Sequence, residues 1–376
     1  MTDSVYLDNN STTPVAPEVV EAMTASLAGN WGNPSSMHSL GVTARKTMDS
    51  ARRQVADLVH ARPPEIVFTS GGTESNNLAL RSGLAASGLC RVITTRVEHP
   101  SVLEFCRRIQ KDDVRVELID VDRDGRLKMD AFRAALDTGP ALVSMMWANN
   151  ETGVLFPVEE AARLTHAAGG LIHTDAVQVL GKLPVDVRSA ELDFLSGAGH
   201  KLHGPKGIGF LYARRGMATD SAMVGGHQES GRRGGTENVA GIVGLGMACE
   251  LAAATSPDDI ARIAGLRDRL ETGLIDACPG AVVNGGGSER LPNTTQIAFA
   301  NVEGDALLLR LSDLGIAVSL GSACSTGQME ISHVLQAMHV SRELAKGSMR
   351  FSLSRYTTRH EVERVLDIVP PLANGR

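Results

Sequence analysis

From about residue 66 to 214 the apolar positions fall into short β-rich runs: EIVFTS, RVITTRVE, VRVELIDVD, ALVSMMWAN, GLIHTDAVQ, DFLSGAG and GIGFLYARR, separated by stretches with helical spacing. Such alternation predicts an α/β fold with a mostly parallel seven-stranded sheet covered by helices. In open sheets of this kind ligands bind at the carboxyl ends of the strands, where the loops bring distant residues together. After a long helical region near 237 to 277 the pattern becomes TTQIAFAN, a helix near 303 to 313, IAVSLGSA, a helical pair and SMRFSLS. This second region reads as a smaller α+β domain. The expected division is a large domain over 16–250 and a small domain made of 1–15 and 251–376. No internal repeat and no linker rich in Pro and Ser interrupts the chain, so the two are expected to pack closely.

Composition narrows the function classes. With 376 residues and 43% hydrophobic content the chain can bury a full core, and 39 glycines with only 3% aromatics suit tight turns and small aliphatic packing. A net charge of −6 gives no whole-chain attraction to nucleic acid or to acidic membranes, so neither is an expected partner. The polar start MTDSVYLDNNSTTP has no apolar signal segment, and a cytoplasmic location is expected. Five scattered cysteines with no CxxC pair argue for reduced thiols and against a disulfide framework or a metal site.

Several segments carry candidate chemistry. FTSGGTESNNLAL runs from a strand through Gly71 and Gly72 into a helix starting around Thr73, and such an N-terminus offers free N–H groups to a phosphate. A plain strand-to-helix turn capped by Thr73 would read the same way. It matches neither GxGxxG nor GxxxxGK[ST], which speaks against a dinucleotide or ATP. HTDAVQ ends a buried strand with Asp175, followed by Gln178; the carboxylate is either a helix cap or the partner of a cation such as a protonated pyridine nitrogen. SGAGHKLHGPKGIGFL offers His200, Lys201 and Lys206. The glycines and strand ends around Lys201 favour it as an amine that can lose its proton and meet a planar cofactor. His99 in VEHPSV is either a satisfied buried imidazole or a ring that stacks on that cofactor. Cys324 in SLGSACSTGQ sits among small residues without apolar periodicity, unlike Cys106 and Cys249, and reads as an accessible nucleophile. Arg350 in SMRFSLS is either half of a structural ion pair or the receptor of a substrate carboxylate.

In order, YLDNNSTTP, GNPSSMHSLG, FTSGGTESNN, VEHPSV, WANNETG, HTDAVQ, GHKLHGPKGIG, RRGGTEN, GSACSTG and MRFSLSRYTT span nearly the whole chain. Together they resemble the cysteine desulfurases, in the NifS/IscS-type branch of the class V aminotransferase-like proteins. The resemblance implies the fold type I of pyridoxal-phosphate enzymes. It also implies removal of sulfur from L-cysteine to give L-alanine and a persulfide on Cys324, passed to an acceptor protein in iron–sulfur cluster assembly or another thiolation pathway. On that reading Lys201 holds pyridoxal 5'-phosphate covalently, Asp175 pairs with its ring nitrogen and Gln178 contacts its ring oxygen. His99 stacks on the ring and moves protons, Gly72, Thr73 and His200 hold the phosphate, and Asn150 adds a cofactor contact. Asn33 and Arg350 bind the substrate carboxylate, and Thr236 reaches the phosphate of the neighbouring subunit, which implies a homodimer. Two positions depart from the family pattern. Ala198 stands where a serine is common, removing one phosphate hydroxyl, and Leu320 replaces the second serine of the cysteine motif, which is expected to tune loop packing. Selenocysteine lyase, another lyase or transaminase, and a sulfur-relay scaffold are the alternative readings.

Overall fold

A computed structural model describes residues 4–320 and 331–375. Seven strands form the main sheet: β2 (Ile66–Thr69), β3 (Arg91–Thr95), β4 (Arg115–Ile119), β5 (Leu142–Met146), β6 (Leu171–Asp175), β7 (Phe194–Ala198) and β8 (Gly209–Ala213), after a short β1 (Val5–Tyr6). Their order across the sheet is β2-β8-β7-β6-β5-β3-β4. β8 runs antiparallel to both its neighbours, and the other contacts from β7 to β4 are parallel. Six strands therefore point the same way and deliver their carboxyl ends to one edge. Every residue of β5, β7 and β8 is buried, which is why these strands read as continuous apolar runs rather than alternating ones: helices cover both faces.

The region after residue 237 differs from its sequence pattern in two ways. The long helical region is two helices, Val239–Ala253 and Pro257–Ala277, meeting at 86°. Pro257 lacks an N–H and opens the second helix, while Ser256 and Asp259 each accept from the other's backbone in a reciprocal cap. Among the described residues of IAVSLGSA only β11 (Ile316–Ala317) is a strand, and it pairs in parallel with β1 from the far N-terminus. It follows β9 (Val282–Val283) and β10 (Thr294–Ala298) in the chain. A three-stranded antiparallel sheet joins β12 (Ser348–Ser352), β10 and β9.

Two large hydrophobic clusters result. One surrounds the seven-stranded sheet, and the other gathers Val5 and Leu7 with residues such as Leu270, Phe299, Phe351 and Val365. Leu320 packs half-buried on this second cluster. Val334, Leu335 and Met338, although late in the chain, belong to the first. On the outer side of the large sheet, helix Val239–Ala253 crosses helix Ser39–Leu58 so closely that a Cβ on Gly246 would stand 2.7 Å from the Ala51 Cα. The glycine is there for that approach.

Candidate active site

The carboxyl ends of β2, β3, β5, β6 and β7 open onto one cavity of about 460 Å³. Gly72 and Thr73 after β2, His99 after β3, Asn150 after β5, Asp175 and Gln178 at the end of β6, and His200 and Lys201 after β7 all line it. Arg350 closes it from β12, opposite the large sheet. Nine residues singled out from the sequence thus share one wall-to-wall space.

Each is held by local chemistry. The helix Gly72–Ser87 starts one residue earlier than its sequence suggests, and its N-cap is Gly71, at φ 152°, rather than Thr73. That leaves the first-turn N–H groups and the Thr73 hydroxyl on the cavity side. A Cβ on Gly72 would meet the Val177 Cγ2 at 2.9 Å, and Ala198 lies beside the same turn, so the floor is narrow and smooth. Asp175 is buried at 6% exposure; its Oδ2 accepts from Asn76 Nδ2 at 2.7 Å and its Oδ1 from the Val177 N–H at 3.0 Å. These donors hold the carboxyl group in place at the strand end.

His99 caps the helix Pro100–Ile109, its Nδ1 accepting from the Ser101 N–H at 3.1 Å. The acceptor role of Nδ1 leaves Nε2 to carry the ring proton. Burial holds the imidazole below its ordinary pKa; Asp175 opposes this, and Lys201 and His333 reinforce it. His200 is likewise pushed down to about 4, by burial and then by Lys201 and Lys206. Lys201 donates to the backbone carbonyls of Asn10 and, at 2.6 Å, Ser11. Burial first, then Arg350, pulls its amine from 10.5 down to about 8, with Asp8 and Asp175 resisting. An amine near 8 has a usable neutral fraction at neutral pH.

Arg350 meets both readings offered for it. Its guanidinium pairs with Asp8 at 2.7 Å and donates to Ser11 Oγ at 2.6 Å and to the Asn150 carbonyl at 2.9 Å, yet it faces the cavity. The structural ion pair is therefore present, and any substrate carboxylate would share the fork with Asp8.

Asn33 and Thr236 do not line this cavity; they lie together at a separate exposed depression with Leu27, Trp31 and Glu237. Cys324 lies outside the described residues. On its near side Ser319 lines the cavity wall and exchanges backbone hydrogen bonds with Arg350. On the far side Ser332 Oγ donates to Glu151 Oε2 at 2.6 Å and His333 Nε2 contacts the Glu98 carbonyl at 2.9 Å. Cys106 and Cys249 are buried as their apolar runs imply, and burial raises both thiols, Cys106 to about 12.

The Aminotransferase class-V model matches residues 5–365. The chain belongs to that family. It is 51% identical to a cysteine desulfurase of Gluconacetobacter diazotrophicus over 98% of this chain and 93% of that one. It is 49% identical to cysteine desulfurase NifS of Azotobacter vinelandii over 98% and 92%. A solved NifS-like protein superposes with a TM-score of 0.90 at 37% identity, covering 99% of both chains. The fold is thus that of the type I pyridoxal-phosphate enzymes. Asn10, Ser11, Asn76 and Ser101 also line the cavity, and sequence reasoning did not single them out. All four sit inside the motifs YLDNNSTTP, FTSGGTESNN and VEHPSV, so only their roles were missed.

Proposed function

We propose that this chain is a pyridoxal-phosphate-dependent cysteine desulfurase whose cofactor sits in the cavity between Lys201 and Asp175. The observation that carries this reading is the meeting of a lowered amine, a buried carboxylate and a free helix N-terminus in one space. Pyridoxal phosphate has a ring nitrogen, a ring oxygen, a phosphate and an aldehyde, and the cavity offers a match for each. Asp175 suits the protonated nitrogen, Gln178 the oxygen, the Gly72 and Thr73 turn with His200 the phosphate, and Lys201 the aldehyde carbon. His99 supplies a flat ring for the cofactor's face and Asn150 a further polar contact. When bound, the cofactor supplies an electron sink for bond cleavage in an amino acid.

The chain's own residues do the rest. Lys201, once freed, is the amine that takes and returns protons at the substrate α-carbon, and its lowered pKa fits that task. Neutral His99 donates from Nε2 without adding charge. Arg350 binds the substrate carboxylate, whereas Asn33, at the separate depression, would reach a carboxylate only in the cavity of a second copy. Cys324, as thiolate, takes the substrate sulfur: an S–S bond forms, the C–S bond breaks, its electron pair stays on carbon, and alanine leaves. The persulfide then passes to an acceptor protein of iron–sulfur assembly or another thiolation route.

Thr236 completes the phosphate site of a second copy, which makes the working unit a homodimer. Supporting this are the apolar residues left in water at its depression, Leu27 at 67% and Trp31 at 70% exposure. The two hydrophobic clusters correspond on this proposal to a large and a small domain, with the cavity between them. The test is reduction with borohydride after loading, followed by peptide mapping: the pyridoxyl label belongs on Lys201, and label on Lys206 refutes the assignment. Alanine release from L-cysteine must in turn depend on Cys324, which Cys324→Ala would show by losing persulfide while keeping the bound chromophore.

A further inference from the structure

Behind Gln178 lies a second lysine that no motif drew attention to. Lys182 lies seven residues beyond the end of β6 and four beyond Gln178, and does not line the cavity. Its amine donates to three oxygens: the Gln178 backbone carbonyl at 2.9 Å, Gln178 Oε1 at 3.0 Å and Asn10 Oδ1 at 3.3 Å. On the other side of the same carboxamide, Gln178 Nε2 donates to the Asn10 carbonyl at 2.9 Å. A backbone carbonyl only accepts and an ammonium only donates, so both neighbours agree on which end of the amide is oxygen. Three acceptors around one amine match the three N–H groups of the charged form. Burial, then Lys201 and Arg350, work against that charge and draw the amine down to about 7.

We propose that Lys182 is a positioning residue that fixes the orientation of the Gln178 carboxamide, so that Gln178 presents an N–H donor to the cavity and selects an oxygen acceptor on the cofactor ring. With Oε1 tied to Lys182 and one N–H tied to Asn10, the second N–H is the group Gln178 has left to offer. A flipped amide would offer a carbonyl instead and repel a ring oxygen that carries negative charge. Lys182 also steadies Asn10, whose carbonyl receives Lys201 as well as Gln178. One buried amine thereby sets the direction of a neutral contact. This inference rests on the cofactor reading above, because the ring oxygen is the atom being selected.

The test compares two ligands on the apoenzyme by fluorescence titration: pyridoxal 5'-phosphate and 3-deoxypyridoxal 5'-phosphate, which lacks the ring oxygen. Lys182→Met keeps length and removes the donor. It is expected to weaken pyridoxal phosphate about fivefold, the worth of one ordinary hydrogen bond, and to leave the deoxy analogue unchanged. Lys182→Arg, which can only donate, is expected to recover most of the loss. Equal weakening of both ligands, or no weakening of either, overturns the role of Lys182, since a merely structural contribution does not read the ring oxygen. Failure of the unmodified chain to bind pyridoxal phosphate at all overturns instead the cofactor reading, and with it this one.

Discussion

Two regions of the molecule carry the polar residues that matter, and they are built in opposite ways. At the strand ends the principal charged and polar groups are held by partners: Asp175 with Asn76 and Val177, His99 with Ser101, Lys201 with Asn10 and Ser11, Arg350 with Asp8. At the depression of Asn33 and Thr236 the side chains are exposed, and Glu237 Oε2 is buried with no hydrogen-bond partner among the described residues. The first region is preorganised by residues of its own chain. On the homodimer proposed above, the second is a surface that contributes to a neighbour's site.

The largest test falls on the first region. Lys201→Ala removes the covalent anchor and the proton-transfer amine together, and desulfurase turnover should fall by a factor on the order of 10⁴, read as alanine formed. Asp175→Asn leaves the shape but not the charge, and a loss on the order of 10² is expected. The pH course gives a finer check. The neutral amine is the nucleophile, so the rate of cofactor uptake by the apoenzyme should climb with pH and level off above about 8. A climb continuing toward 10.5 would mean that the amine is not in the environment described.

The second region predicts a different signature. Trp31→Asp places a charge on the exposed apolar surface and should turn the dimer into monomer by sedimentation while the fold stays intact. Cofactor affinity should drop with it. Thr236→Ala should keep the dimer and weaken the cofactor by about fivefold, one hydrogen bond. If Trp31→Asp monomers hold the cofactor as tightly as the native protein, the depression is no part of the site.

The same contrast explains what was legible in the sequence. β5, β7 and β8 announce themselves because strands buried on both faces must be apolar throughout, but that pattern carries no direction, and nothing in GIGFLYARR marks β8 as the antiparallel one. Lys201 stood out through its glycines. Lys182, in GKLPVD, reads like any solvated lysine, since Asn10 is brought to it across 172 residues of separation and only that packing turns it toward Gln178, four residues back. The Arg350 to Asp8 pair spans 342 residues and was equally invisible, although the need for some partner was not. Family resemblance supplied the roles of Asn33 and Thr236; a single chain's spacing could not.

A smaller effect sharpens the strand-end region. Ala198 lies on β7 next to the Gly72 turn, where its methyl group replaces the hydroxyl common in the family. Ala198→Ser should restore a phosphate donor and tighten pyridoxal phosphate by about fivefold, measured by equilibrium titration of the apoenzyme. Unchanged affinity would mean that the helix turn and His200 already saturate the phosphate.

The smallest effect concerns Glu98, the fully buried neighbour of His99. Its Oε1 accepts from Thr95 Oγ1 at 2.8 Å and the Met146 N–H at 2.9 Å, while Oε2 has no partner among the described residues. Burial, with Asp175 adding to it, raises this carboxyl from 4.5 to about 8 against the pull of those two bonds. The folded protein therefore keeps a proton that the unfolded chain gives up above 4.5. Stability from this group is complete below that value and drains away as pH rises through about 8. Glu98→Gln preserves the shape and cannot ionise. Urea unfolding should find the variant close to the native protein at pH 5 and increasingly the more stable of the two toward pH 8. Parallel curves across that range would place the Glu98 proton elsewhere and leave the site's charge balance to Asp175 alone.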